Sequence, residues 1–77
     1  METFELRYFL AVANAGNVNH AAKKVAVSAG SLSKAVAKLE SELGVKLFER
    51  VGRHIEITAH GRFLQERAAE ILRLEET

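Results

Sequence analysis

The 77-residue chain has no cysteine, no proline, no tryptophan and no aspartate. Without cysteine it has neither a disulfide framework nor thiolate ligands for a metal. Without aspartate it cannot assemble a Ser-His-Asp nucleophile. His20, His54 and His60 are too widely spaced to ligate a metal from one element, and no cysteine or aspartate supports them. A glycine-rich phosphate loop is also missing. The sequence therefore implies no enzyme, no metal and no cofactor. No apolar run approaches the length of a membrane span. The opening Met1-Glu2-Thr3-Phe4-Glu5 lacks the basic and apolar regions of a signal peptide. A reducing, cytoplasmic setting is the expectation. No linker, internal repeat or low-complexity tract interrupts the chain.

What is present suits one small domain. An apolar fraction of 48% supports a packed core rather than disorder. The net charge is only +1, but it is unevenly spread. Residues 21–54 hold seven cations, Lys23, Lys24, Lys34, Lys38, Lys46, Arg50 and Arg53, against three glutamates. The segments on either side are net acidic. A phosphate-binding footprint is therefore expected in the middle of the chain. An ordinary solvated surface would read the same from charge alone.

Apolar periodicity predicts four helices. Phe4, Leu6, Phe9, Leu10 and Ala13 place the first over residues 3–15, with Thr3 as its cap and Gly16 as a left-handed stop. Asn17 caps a second helix running to Val25, whose inner face is Val18, Ala21, Ala22 and Val25. Ser28 caps a third helix running to Leu43, with Leu32, Val36, Leu39 and Leu43 turned inward and Gly44 as the stop. Its other side, Ala29, Gly30, Ser33, Lys34, Ala37 and Lys38, is small, polar and basic. Two short helices, a tight turn and a serine-capped second helix have the shape of a helix-turn-helix, whose second helix can enter the major groove of DNA.

Residues 47–50 and 54–57 read as strands around Val51-Gly52-Arg53, a hairpin with a glycine turn. A hairpin after a helix-turn-helix is a wing. Thr58 then caps a fourth helix from Ala59 to Glu75, with Phe63, Leu64, Ala68, Ile71, Leu72 and Leu74 apolar. A helix of about 17 residues reaches roughly 25 Å. That is more apolar length than one small domain needs, so its far half is expected to pack against a second copy. The expected interface is Phe63, Leu64, Ala68, Ile71, Leu72 and Glu75. On this view both Ile71→Asp and Leu72→Asp split the dimer and leave a helical monomer.

Read in order and without gaps, these elements resemble the DNA-binding domain of LysR-type bacterial transcriptional regulators. The resemblance is carried by Leu6-Arg7-Tyr8-Phe9-Leu10-Ala11-Val12-Ala13, Gly16, Ala21-Ala22, Val27-Ser28, Leu32-Ser33 and Leu39-Glu40. It continues through Glu42-Leu43-Gly44-Val45-Lys46-Leu47-Phe48-Glu49-Arg50, Thr58 and Gly61. It implies a mainly α fold: a winged helix-turn-helix of three helices and a β-hairpin wing over residues 1–58, then a long linker and dimerisation helix over 59–77. It implies a homodimer. In complete members an effector domain follows, so the chain looks like an excised DNA-binding domain or a natural fragment, with no small-molecule ligand of its own.

The resemblance also implies the site. Ser28, Ala29, Gly30, Ser31, Ser33, Lys34, Lys38, Arg50 and Arg53 are the expected DNA contacts. Ser33 and Lys34 would meet bases or phosphates in the major groove. Arg53, at the hairpin tip, would enter an adjacent A/T-rich minor groove. Two roles stay open for Ser28, helix cap and phosphate contact, and two for Arg50, backbone contact and local pairing with a glutamate. Ala29 and Gly30 either allow close approach, with Ala29 against a thymine methyl, or mark a tolerant site. The recognition helix departs from the family, which usually opens it with Gln-Pro and continues Ala-Leu-Ser-Arg-Gln. Ala29 offers a methyl in place of the glutamine amide, Gly30 is flexible where proline is preorganised, and Lys34 lacks arginine's bidentate geometry. Ala59 replaces an acidic residue common after the capping threonine.

The expected partner is double-stranded DNA, an interrupted and A/T-rich inverted repeat, bound by a homodimer at the bacterial nucleoid. The competing expectation is a winged-helix protein-interaction module that does not read DNA. It would bind its partner regardless of salt and survive loss of Lys34 and Arg53.

Overall fold

In a computed structural model, which describes residues 1–75 and Glu75 by its backbone alone, the chain folds as three helices, a hairpin and a fourth helix. These are α1 (Thr3–Ala15), α2 (Val18–Val25), α3 (Ala29–Leu43), β1 (Phe48–Val51), β2 (His54–Ile57) and α4 (Ala59–Glu75). α1 is central: α2, α3 and α4 all pack on it.

Local chemistry sets most boundaries. The Asn17 side chain accepts the His20 backbone N–H at 2.9 Å and starts α2. The Ser28 hydroxyl does the same for Ser31 at 3.0 Å and starts α3. Gly16 and Gly44 stop α1 and α3 in left-handed conformations, at φ 69° and 71°. α1 differs from expectation, because Glu2 rather than Thr3 takes the cap position and its N–H donates to the Glu5 carboxylate at 2.8 Å. α2 ends at Ala26, held at φ 57° without being glycine. The turn between α2 and α3 is therefore closed by a residue in a conformation that disfavours a side chain.

The core has two lobes. Val12, Ala21, Ala22, Leu32 and Val36 form the first, and the two alanines let α2 approach closely. Phe9, Leu39 and Leu47 form the second, with Phe48 shared and tilted against Phe9 at 5.5 Å between ring centroids. Phe9, Leu32, Leu39 and Leu47 are fully buried, and each contributes about 1.5–3 kcal/mol of transfer free energy. Two expected core positions lie outside it. Leu43 is exposed, because the α3 stripe turns inward through Ala35 and ends at Leu39. Phe4 is half exposed and meets the edge of Tyr8 at 5.6 Å.

The wing pairs antiparallel, Phe48 with Ile57, Glu49 with Glu56, Arg50 with Ile55 and Val51 with His54. The second strand falls where expected, and the first lies one residue later than expected. Leu47 is core rather than strand, and Val51 is strand rather than turn. The loop is therefore only Gly52-Arg53. Gly52 sits at φ 62°, a positive angle that tight hairpins demand at the first loop position.

α4 is locked to the base of the wing. The Thr58 hydroxyl accepts the Gly61 N–H at 3.0 Å and donates to the Lys46 carbonyl at 2.6 Å. The Thr58 N–H donates to the Leu47 carbonyl at 3.0 Å. Further along, the Gln65 amide donates to Asn14 at 3.0 Å, tying α4 to the end of α1. Among the described residues no helix is long and apolar enough to cross a membrane.

Candidate nucleic-acid interface

The third helix presents its outer side as expected from its periodicity. Gly30, Lys34, Ala37 and Ser41 follow one another along that side, with Ser33 on one flank and Lys38 on the other, and all six are exposed. Lys34 has no ion-pair partner among the described residues. At the start of the helix the Ser28 hydroxyl also donates to the Ser31 hydroxyl at 2.9 Å. Both serines are exposed there. Gly30 is open, because an added Cβ would meet nothing nearer than the Ser28 hydroxyl at 3.9 Å. No internal packing requires a glycine at that position. Ala29 is half-buried against the Val12 lobe, so its methyl is shared with the core.

The wing closes a trough beside this helix. In its alternating register Arg50 shares a face with Phe48 and Ile55, and all three line the trough opposite Ser33 and Ala37. Arg53 occupies the second place of the two-residue loop and is exposed at the tip. The structure thus brings Ser33, Ala37 and Arg50 around one trough and holds Arg53 beyond it.

Two glutamates organise the surface, and neither was singled out for this in the sequence. Glu40 braces the wing to the recognition helix: its carboxylate accepts the Leu47 N–H at 2.8 Å and the Phe48 N–H at 3.4 Å, with the Lys46 ammonium 4.0 Å away. Glu5 is 1% exposed and meets the Lys38 ammonium at 3.2 Å. The Glu2 backbone N–H, aided by Lys38, holds the Glu5 carboxyl below its ordinary value of 4.5 against the opposing effect of burial. The hydrogen bond and charge of Glu5 raise Lys38 in turn. Lys38, expected to face DNA, thus stands engaged with α1. The spacing of Glu5 in a predicted helix showed only that it neighboured the apolar face.

The expected dimer surface divides. Ala68 and Leu72 are buried within the chain, and Leu64 is half-buried against the second lobe. Phe63 and Ile71 are exposed on the adjoining side, and Leu74 joins them at 70% exposure. Arg67 stacks over the Phe63 ring at 5.6 Å. The Glu75 side chain, also expected there, lies outside the described residues, as do residues 76–77. Among the described residues no group of three or more His, Cys, Asp or Glu side chains could hold a metal ion.

A helix pair joined by a short turn, an open recognition helix and a braced hairpin beside it define a winged helix-turn-helix. Within that class, residues 4–62 match the family described as bacterial regulatory helix-turn-helix proteins of the lysR family, and the chain belongs to it. The transcriptional regulator ClcR of Pseudomonas putida is 42% identical over 76 residues, which are 99% of this chain and 26% of ClcR. The chain therefore spans about a quarter of that relative's length. The CbnR_DBD–DNA complex superposes with a TM-score of 0.93 at 46% identity, covering 99% of this chain and 87% of that one. The BenM_DBD/catB site 1 DNA complex gives 0.93 at 36% identity, covering 99% and 85%.

Proposed function

We propose that this chain binds double-stranded DNA as a homodimer and serves as the DNA-binding part of a transcriptional regulator. The observation that carries this is the open outer side of α3, small, hydroxylated and basic, set beside a wing with an arginine at its tip. Similarity to CbnR and BenM domains solved with DNA supports the reading. In it, α3 enters the major groove and Ser33 and Lys34 meet base edges. Ser28, Ser31 and the bare backbone at Ala29 and Gly30 approach the phosphates closely. Arg53 enters the adjacent minor groove and Arg50 meets the backbone between them. Residues 1–58 form the reading unit and 59–77 the linker. Phe63 and Ile71, extended by Leu74, join two copies, which fits an interrupted inverted repeat. DNA as the ligand places the chain in the bacterial cytoplasm, as a binding protein rather than an enzyme.

The test is titration of the chain into a fluorescent A/T-rich inverted-repeat duplex, with a scrambled duplex beside it, at two salt concentrations. The expected result is tighter binding to the repeat that weakens steeply with salt. Folded, dimeric protein that binds neither duplex at either salt would replace this reading with a protein-interaction module.

A further inference from the structure

Two lysines stand one turn apart on α3, and the structure treats them differently. Lys34 is exposed with no ion-pair partner among the described residues. Lys38 is held 3.2 Å from a carboxylate that is nearly withdrawn from water and anchored by a second hydrogen bond, from the Glu2 N–H at 2.8 Å. A buried carboxylate depends on its counter-charge far more than an exposed one does. A DNA phosphate approaching Lys38 competes as a solvated, salt-screened charge against an ion already fixed in place. Moving Lys38 to a phosphate would strand Glu5.

We propose that Glu5 withholds Lys38 from the DNA backbone and so raises the sequence selectivity of the recognition helix. This rests on the DNA-binding reading above. Phosphate contacts strengthen binding to every sequence alike, whereas base contacts strengthen binding to one. A recognition helix with a neutralised Lys38 carries one fewer sequence-blind contact. Its preference therefore leans on Ser33 and Lys34. Glu5 is a specificity-determining residue of α1 that never touches DNA.

The experiment measures the slope of log affinity against log salt for the unaltered chain, Glu5→Gln, and the doubly neutral Glu5→Gln/Lys38→Gln. All are titrated on the scrambled and inverted-repeat duplexes, with helix content checked by circular dichroism. Glutamine at position 5 can still accept the Glu2 N–H but carries no charge to hold Lys38. Glu5→Gln should steepen the slope by about 1.8, the value of one added phosphate contact in each half of the dimer. Its affinity for scrambled DNA should rise by roughly 60-fold near 0.1 M salt, narrowing the gap to the repeat. The double variant leaves no buried charge, and its slope should equal that of the unaltered chain. It decides the question even if Glu5→Gln fails to fold. A double-variant slope shallower by about 1.8 would mean that Lys38 already grips phosphate, and would overturn the proposal. So would a folded Glu5→Gln with an unchanged slope. No binding by the unaltered chain is a separate result, which would remove the DNA-binding reading itself.

Discussion

Replacing Gly61 by alanine should destabilise the protein, although alanine is the better helix former. Gly61 lies buried in the first turn of α4. A Cβ there would fall inside contact distance of the Leu47 carbonyl oxygen, 2.7 Å from Ile57 Cγ1 and 3.1 Å from the Leu47 carbonyl carbon. Ile57 can turn aside. The Leu47 carbonyl cannot, because it accepts the Thr58 N–H, while the preceding Lys46 carbonyl accepts the Thr58 hydroxyl. α4 must therefore lift from the wing and stretch both bonds. Helix propensity favours alanine by about 1 kcal/mol. Overpacking costs about 1–3 kcal/mol, and each weakened hydrogen bond adds about 0.5–1.5 kcal/mol. The net loss is about 3 kcal/mol, a fall in Tm of roughly 12–24 °C for a domain of this size. Thermal unfolding followed by circular dichroism, at one protein concentration, measures it. Ala69→Gly on the exposed side of α4 is the control and should lose only the propensity difference, about 1 kcal/mol. A Gly61→Ala protein as stable as its parent would refute the close approach of α4 to the wing.

Ile71→Asp and Leu72→Asp should now part company. The first places a charge on the exposed side of α4 and should yield a helical monomer by sedimentation. The second buries a carboxylate against α1, at a cost of about 3 kcal/mol or more, and should unfold α4. Arg53→Ala should lower the salt slope by about one contact in each half of the dimer and lose most affinity on A/T-rich flanks; equal loss on G/C-rich flanks would remove the minor-groove role. The Glu5–Lys38 pair should make stability fall in acid. The Glu5 carboxyl titrates lower when folded than its ordinary 4.5, so its contribution is complete above that value and disappears as pH falls through the folded one. Lys38 titrates higher when folded, so its contribution holds below its ordinary 10.5 and is lost only at more alkaline pH. Urea midpoints of the parent and Glu5→Gln should differ at pH 6 and draw together as the pH falls below 4.5. A constant difference would deny the pair its role.

The helix limits were legible because local groups set them. Asn17, Ser28 and Thr58 each cap through their own side chains, and Gly16 and Gly44 stop helices through their own dihedrals. The outer side of α3 was legible for the same reason, since period alone separates it from Leu32, Val36 and Leu39. What stayed hidden depends on neighbours far along the chain. Nothing local reveals that Glu40 closes on Leu47 and Phe48, or that Glu5 is sealed by Lys38 thirty-three residues away. Leu43 reads as core because it keeps the period, yet it is exposed. α4 carries two adjoining apolar faces that a single helical stripe merges. Only the position of α1 shows that Ala68 and Leu72 are taken and that Phe63, Ile71 and Leu74 remain.

In the proposed reading those three exposed side chains would make the response to protein dosage nonlinear. In the proposed dimer each copy covers the other's Phe63, Ile71 and Leu74, so half-site pairing and surface burial happen in one step. At low abundance the dimer population grows with the square of chain number. Halving expression would then cut occupied operators by up to fourfold. A bacterium could move such a regulator across its working threshold with a small change in synthesis.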